Sequence, residues 1–287
     1  LTDHGRYKPS LEAIDAFAHV PIDLKIFPGE EIHPPDNRVH MINFGGHFSV
    51  NDLFKNKSYM TEIKAIAEKE QCDLPDKEHL QYASCVWCYR KIREAGGLAI
   101  FCHPYWISGH TYNVPESITA KHFKDMPFDA FELIGGFHLH EVESNMLQTA
   151  RYHSESGKGR KIPIVGVSDA HGCRTGSLFG WYYTIIFSES LALQDIIKAV
   201  RDCRAVAVEA LPDQTPRTHG PFRLVKYAQF LLREAFPYHD ELCRKEGELM
   251  LSYLSGNTDA AAELDKLKGQ TDKLMASFYG RQENYRD

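Results

Sequence analysis

The sequence lacks several features that would assign it to a specialised class. No apolar run approaches the roughly 18 residues of a membrane-spanning helix, so no membrane association is expected. Basic residues are not in excess: 33 Lys and Arg against 39 Asp and Glu give a net charge of -6, which argues against general nucleic-acid binding. No signal peptide or internal repeat is visible. We therefore expect a cytoplasmic globular protein.

A disulfide framework is also not expected, because the cysteines are odd in number and irregularly spaced. They are Cys72, Cys85, Cys88, Cys102, Cys173, Cys203 and Cys243. Cys85 and Cys88 form a CxxC motif inside a predicted helix, 77–94, but no second pair accompanies them. Packing is the favoured interpretation of this motif, with metal binding or redox cycling as the alternative.

The sequence does contain an alternation of short apolar strands and helices, which is typical of βαβ units and a parallel sheet. Strands are predicted at 25–27, 39–44, 98–102, 130–134, 162–167, 181–187 and 205–210, with helices at 59–70, 77–94, 143–156 and 191–201. Beyond Leu211, helical apolar spacing predicts two long helices, 222–254 and 258–279. We therefore expect a domain over residues 1–211 and a helical extension over 212–287.

Acidic and imidazole side chains stand at or near the ends of five predicted β elements. They are Asp3, His4, Glu30, Glu31, His40, His103, Asp169 and His171. One such strand end is commonly a turn, but five are hard to explain as turns. In a barrel of parallel strands the C-terminal strand ends meet at one mouth. Carboxylate oxygen and imidazole nitrogen suit zinc, manganese and iron, so the pattern predicts a metal site that activates water.

Five stretches occur in a fixed order: LTDHG, FPGEEI, VHMINFGG, GGLAIFCHP and VGVSDAHG. Together they resemble the motifs of the polymerase and histidinol phosphatase (PHP) family of metal-dependent phosphoesterases, over about residues 1–210. The resemblance implies an α/β fold, a distorted (β/α)7 barrel of the PHP type. It also implies one to three divalent metal ions (Mn, Fe or Zn) and hydrolysis of a phosphoester by metal-bound hydroxide. The substrate would be a small phosphorylated metabolite or nucleotide.

The resemblance also implies roles for individual residues. Glu31 resembles the carboxylate that bridges two metals, with His40 and His103 as its partners on one of them. Asp169 resembles a ligand of the other metal. Glu30 is the rival of Glu31 for the bridging role, and the Gly-x-Glu spacing favours Glu31.

The remaining site assignments concern a third metal and the substrate. His4 and His171 resemble ligands of the third metal, and Asp3 resembles a group that orients its neighbour. A guanidinium is the preferred planar partner of phosphate, so Arg174 is predicted at the mouth, and Arg6 is a second candidate. The catalytic set is therefore Asp3, His103 and Arg174. Tyr105 and Trp106 could stack on a leaving group or pack the loop, and no role is assigned to His33, His47 and His110.

The chain departs from the family pattern at its start. The family begins with a strand that carries His-x-His, whereas this chain begins at Leu1, inside the second motif. We expect upstream residues to be missing, and at most one tightly held metal at Glu31, His40 and His103. His138 and His140 form a substitute His-x-His pair. They are candidates for replacement ligands, for substrate contacts or for surface loop residues.

Two other functions stay open at this point. The same barrel mouth could serve a metal hydrolase of amide or carboxylic ester bonds, or the chain could be a non-catalytic PHP-like module. The expected partner is a small phosphorylated molecule. The C-terminal helices, 222–279, are predicted to carry no metal ligand and to bury an apolar stripe against the barrel or a second copy of the chain.

Overall fold

The structure, a computed structural model, describes residues 1–69, 73–136, 142–172 and 180–279. The chain divides into two compact units. The first comprises Leu1–Ser10 and Phe27–Pro221, and the second comprises Leu11–Ile26 and Phe222–Asp287. Residues 11–26, which the sequence analysis placed in the first domain, therefore belong with the C-terminal helices.

The first unit is built on a five-stranded sheet in the order β1-β2-β3-β6-β7, with a separate sheet in the order β10-β9-β8. The strands are β1 (Gly29–Ile32), β2 (His40–Phe44), β3 (Leu98–Cys102), β4 (Ile107–Ser108), β5 (Thr111–Tyr112), β6 (Ala130–Ile134), β7 (Ile164–Gly166), β8 (Tyr182–Ile186), β9 (Ala205–Glu209) and β10 (Arg217–His219). The strand predicted at 25–27 lies instead at β1. The alternation of strands and helices thus gives an α/β unit, as expected.

The strand directions correct the expectation of a parallel barrel. β2 pairs antiparallel with β1 and with β3, whereas the β3–β6 and β6–β7 pairs are parallel. The link from β1 to β2 holds only residues 33–39, and a parallel pair needs a crossover of about a dozen residues or more. The described residues form two open sheets and a two-stranded hairpin, and no closed sheet.

The two larger sheets meet at Gly166 of β7 without a strand ladder between them. The Thr184 hydroxyl of β8 donates to the Gly166 carbonyl (2.7 Å) and accepts the Gly166 N–H (2.9 Å). A Cβ atom at Gly166 would lie 2.6 Å from the Tyr183 carbonyl oxygen, so this approach requires glycine. The Thr184 hydroxyl therefore links the backbone of β7 to β8 at this point.

The helices confirm most of the predicted helical segments but divide the last two. They are α1 (Lys8–Ala16), α2 (Tyr59–Lys69), α3 (Asp76–Glu94), α4 (Glu116–Asp125), α5 (Val142–Gly157), α6 (Leu193–Arg201), α7 (Phe222–Glu234), α8 (Phe236–Leu254), α9 (Ala260–Leu267) and α10 (Gln270–Tyr279). Pro237 begins α8, because a proline is tolerated in a first turn but not in a helix interior. Gly269, with a φ of 76°, separates α9 from α10. No helix among the described residues is long and apolar enough to cross a membrane.

Asp23 explains why residues 11–26 belong to the helical unit. Its carboxylate accepts hydrogen bonds from the N–H groups of Gly269 (2.7 Å) and Thr271 (3.2 Å), at the start of α10. The first N–H groups of a helix have no partner within the helix, so the carboxylate satisfies them. The Asp23 N–H in turn donates to the Glu246 carboxylate of α8. A segment close to the N-terminus thus caps a helix close to the C-terminus.

The two faces of the five-stranded sheet carry separate apolar clusters. Side chains alternate along a strand, so neighbouring residues point to opposite faces. The first face carries Ile32, Met41, Phe101 and Phe131, packed on α2, α3 and α4. The second face carries Ile42, Ile100, Ala130 and Val165, packed on α6. By the same alternation, Glu30 belongs to the first face and Glu31 to the second.

Candidate metal centre

The buried carboxylate of Glu31 is surrounded by imidazole nitrogens. Its Oε1 atom lies 2.9 Å from His40 Nδ1, 3.5 Å from His33 Nε2 and 3.8 Å from His103 Nε2. Its Oε2 atom lies 3.1 Å from His4 Nδ1. Glu31 therefore belongs to two overlapping sets of three donor residues, one with His40 and His103 and one with His4 and His33.

The first set, Glu31 with His40 and His103, has the spacing of a metal site. In a tetrahedral zinc site with bonds of about 2.0–2.1 Å, two ligand atoms lie about 3.3 Å apart. The three ligand atoms here are separated by 2.9, 2.9 and 3.8 Å. Glu31 Oε1 is buried, and although the ring nitrogens of His40 and His33 lie 2.9 and 3.5 Å away, no described residue gives it a hydrogen bond of good geometry. A buried oxygen without a hydrogen bond is costly unless a cation satisfies it, so the donor set fits a divalent metal.

The second set, His4 with Glu31 and His33, also brings three donor atoms together. His4 Nδ1 lies 2.6 Å from His33 Nε2, and His4 Nε2 lies 3.1 Å from His171 Nε2. The side chains of His4 and His33 are 45% and 37% exposed, against 18% for His40 and 10% for His103. The second set therefore forms the solvent-facing edge of the centre.

Local backbone structure brings His4 to Glu31. The two residues form a parallel β-bridge, in which the Gly5 N–H donates to the Glu31 carbonyl (2.9 Å) and the Glu31 N–H donates to the Asp3 carbonyl (3.0 Å). A Cβ atom at Gly29 would lie 2.9 Å from Thr2 Cγ2, so the segment can approach β1 this closely only beside a glycine. Asp3 thus takes part through its backbone, and its side chain is exposed. The orienting role predicted for that side chain stays a prediction.

His40 reaches the centre because β2 is antiparallel. It lies at the N-terminal end of β2, directly opposite Cys102 at the C-terminal end of β3. In an all-parallel barrel, His40 would lie at the end of the sheet remote from His103. The family resemblance assigns the two histidines to one metal, and the structure brings their ring nitrogens to 2.9 Å, whereas the expected parallel geometry would have separated them.

Glu30, the rival of Glu31, points away from the histidines and is fully engaged elsewhere. Its carboxylate accepts hydrogen bonds from the Ser49 hydroxyl (2.7 Å), the Val50 N–H (2.6 Å), the Asn51 amide (2.8 Å) and the Asn43 amide (3.2 Å). Four donors satisfy a buried carboxylate without a metal. The local geometry therefore leaves Glu30 a structural role.

Asp169 and His171 lie at the end of β7 and keep unusual local geometry. Asp169 has a φ of 46° and His103 a φ of 23°, and such values in residues other than glycine cluster at functional sites. His171 Nδ1 lies 2.8 Å from the Asp169 carbonyl oxygen, which turns its Nε2 towards His4. Arg174, His138 and His140 lie outside the described residues, and Arg6 is exposed.

Two residues of the centre escaped the sequence analysis. His33 was given no role, yet it lies two residues after Glu31, and that spacing places both side chains on one side of an extended strand. Glu132 was not considered, although it is a carboxylate within the apolar strand AFELI. Its Oε2 atom lies 3.0 Å from His103 Nδ1, and the residue is 1% exposed.

Comparisons with known proteins give one distant likeness. No protein-family model and no curated protein matches the chain. Among solved structures, the chain is similar to a two-domain protein from Bacteroides vulgatus ATCC 8482 that contains a predicted PHP-like metal-dependent phosphoesterase. The identity is 17% and the TM-score 0.41, over 72% of this chain and 54% of that one. The chain thus spans about half the length of that protein.

The charges at the centre favour a bound cation. Burial by itself would lower the pKa of His103, but the carboxylates of Glu132, Asp169 and Glu31 raise it to about 10. Burial would also raise the pKa of Glu31, yet the neighbouring histidines hold it well below its ordinary value. The centre therefore keeps its carboxylate ionised and attracts a positive charge beside it. A metal would compete with a proton for the Nε2 atom of His103.

Cys102 lies next to these groups but is a poor ligand. Burial is the largest cause of a pKa well above the ordinary value for its thiol, and nearby carboxylates raise it further. A thiol must lose its proton to bind a metal. The donor set is therefore carboxylate and imidazole, which suits zinc, manganese and iron. Cys85 and Cys88 are likewise buried thiols with raised pKa values, which supports packing.

Proposed function

We propose that this protein is a metal-dependent hydrolase of the PHP type, acting on the phosphoester of a small molecule. The observation that carries the proposal is Glu31 Oε1, a buried oxygen without a hydrogen bond among the described residues, between the ring nitrogens of His40 and His103. A divalent ion, when bound, supplies a Lewis acid and lowers the pKa of a water molecule. Glu31, His40 and His103 would hold the tighter ion.

His4 and His33 would hold a second, weaker ion together with Glu31. Their greater exposure leaves them better solvated, so less is gained by binding there. At most one tight ion was expected from the sequence, because the upstream ligands of the family pattern are missing, and His33 was given no role. We now expect one tight and one weaker ion per chain, with Glu31 between them.

The His4–His171 pair would handle protons at the solvent-facing edge. The two Nε2 atoms lie 3.1 Å apart, so one ring donates a proton to the other. Burial is the main cause of a lowered pKa for His4, which favours the neutral ring that a metal ligand needs. With Nδ1 towards the ion, its proton would lie on Nε2 and be donated to His171. Such a pair can return a proton to a leaving-group oxygen, as a general acid does.

A cleft of about 830 Å³ is a candidate place for the rest of a small substrate, although no residue of the centre lines it. Val39, which lines it, immediately precedes His40 in the chain. Its lining holds the cations Arg38 and Lys77 and the carboxylates of Asp36 and Glu78. Arg38 and Lys77 form no ion pair with the described residues, so either could meet an anionic group.

The test compares histidine variants at the two ends of β2. His40→Ala and His103→Ala remove proposed ligands, whereas His47→Ala removes an exposed histidine three residues beyond the other end of the strand. Each protein is stripped with a chelator, reloaded with Mn²⁺ or Zn²⁺, and assayed on p-nitrophenyl phosphate, bis(p-nitrophenyl) phosphate and p-nitrophenyl acetate. We expect phosphoesterase activity in the wild type and in His47→Ala, and a loss of about 100-fold or more in the two ligand variants.

Other outcomes separate the competing functions. Activity on the acetate alone would favour the carboxylic ester hydrolase. Metal binding without activity on any substrate, including an amide, would favour the non-catalytic module. Full activity in His103→Ala would show that the centre has been misplaced.

A further inference from the structure

Glu132 is a buried carboxylate to which the proposed function assigns no role. It lies on the second face of the sheet, in β6, and contacts the ring of His103 on the side away from Glu31. His103 Nδ1 is 3.0 Å from Glu132 Oε2, and His103 Nε2 is 2.9 Å from His40 Nδ1. The imidazole thus stands between a carboxylate outside the centre and the proposed ligands within it.

The fold provides a shaped place for this carboxylate. A Cβ atom at Gly135 would lie 2.3 Å from Glu132 Oε1, so the carboxylate occupies the space that any other residue would fill. Asn145 holds Gly135 by accepting its N–H (3.0 Å) and donating to its carbonyl (2.9 Å). Gln148 donates to the carbonyl of Leu133 (3.0 Å). These contacts fix the end of β6 and with it the position of the Glu132 side chain.

The contact decides which nitrogen of His103 can bind a metal. A carboxylate accepts and cannot donate, so Nδ1 carries the proton and Nε2 is the atom that can give a lone pair to a metal. Carboxylate partners of ligating histidines fix both the tautomer and the ring orientation. We propose that Glu132 is a positioning residue that presents His103 Nε2 to the metal centre. The proposal rests on the proposed function.

Cys102, His103 and Glu132 could instead form a separate metal site, because their donor atoms also lie close together. Two observations oppose it. The Cys102 thiol is buried and hydrogen-bonds to the Ile100 carbonyl (3.6 Å). A metal on His103 Nδ1 would also displace the hydrogen bond to Glu132. Cys102→Ala distinguishes the two, because it removes a ligand only in the separate site.

The experiment measures Zn²⁺ affinity, by competition with a chelator, in the full chain. Glu132→Gln keeps the size of the side chain and removes its charge. Glu209→Gln is the matched control: Glu209 is also a buried strand carboxylate, 3.0 Å from the guanidinium of Arg217. We expect affinity to fall about 10- to 100-fold in Glu132→Gln, and to stay at the wild-type value in Glu209→Gln and Cys102→Ala. Glu132→Asp, which keeps the charge, should restore part of the loss.

A second readout does not depend on metal. Proton NMR of the metal-free chain should show a downfield imidazole N–H resonance that disappears in His103→Ala and shifts upfield in Glu132→Gln. Wild-type Zn²⁺ affinity in Glu132→Gln, or the absence of that resonance from the wild type, would overturn the positioning role. Failure of the wild type to bind Zn²⁺ or Mn²⁺ would instead contradict the proposed function, and the resonance would still decide the contact between Glu132 and His103.

Discussion

Glu30 and Glu31 are buried on opposite faces of the main sheet, and the two faces surround them with different chemistry. On the first face, Glu30 accepts four hydrogen bonds, and His122 stacks on Phe101 with ring centroids 4.4 Å apart. On the second face, Glu31 leaves an oxygen without a hydrogen bond among the described residues, and His103 contacts carboxylates on both sides.

The comparison shows that burial alone does not identify a functional residue. Glu30 and Glu31 are adjacent, are the same residue type and are both buried. What separates them is the kind of group each face supplies: hydroxyl and amide donors for Glu30, imidazole nitrogens for Glu31. Donors complete the hydrogen bonding of a carboxylate, whereas converging imidazole lone pairs need a cation between them. Removing the charge of Glu30 or of Glu31, one at a time, tests this difference.

The largest effect is expected from Glu31→Gln. The neutral amide cannot replace the charge between the two histidine sets, so Zn²⁺ affinity should fall by about 100-fold or more, equivalent to about 3 kcal/mol. Isothermal titration calorimetry measures it, with Glu30→Gln as the matched control. An equal loss of affinity in both variants would remove the distinction between the faces.

The second effect is on stability, and here the Glu30→Gln variant should lose more than the Glu31→Gln variant. In Glu30→Gln, an amide group with two N–H donors replaces an oxygen that accepts hydrogen bonds. At least one of the buried donors, such as the Val50 N–H or the Ser49 hydroxyl, then lacks an acceptor. We expect the free energy of unfolding to fall by about 2 to 3 kcal/mol in urea denaturation of the metal-free chain. The metal-free Glu31→Gln variant should lose less, and a larger loss there would contradict the comparison.

The smallest of the three effects is a pH dependence that comes from His122. Its Nδ1–H donates to the Ile118 carbonyl (2.8 Å), and burial lowers its pKa to about 4. Below its ordinary pKa of about 6.5, the imidazole takes up a proton in the unfolded chain but not in the folded one, so stability falls as the pH falls. Between pH 7 and pH 5 the loss should be about 2 kcal/mol.

His122→Phe isolates this contribution. The other titrating groups are common to both proteins, so the difference between their unfolding free energies at pH 7 and pH 5 reports His122 alone. Between pH 7 and pH 5, the unfolding free energy of the variant should fall by about 2 kcal/mol less than that of the wild type. Identical pH dependence in the two proteins would show that His122 is protonated within the fold.

Much of the architecture was predictable because it follows from local signals. Apolar runs identified the strands at 98–102 and 130–134, and helical spacing placed α2 and α3 within a residue or two. Strand direction was not predictable from those signals, because an apolar run reads the same in either direction. The short link before β2 contained the missing information, since seven residues are too few for a parallel crossover.

The sequence by itself determined the donor chemistry of the candidate centre. Carboxylates and imidazoles at the ends of successive strands indicated a site for a divalent metal, and the Gly-x-Glu spacing favoured Glu31 over Glu30. Which of these groups meet was decided only by the tertiary structure. The antiparallel direction of β2 brings His40 to His103, the β-bridge brings His4 to Glu31, and β6 brings Glu132 to the far side of His103. The physical reason is that a metal site depends on distances of a few ångströms between residues far apart in the chain. Strand pairing and register, rather than local sequence, set those distances.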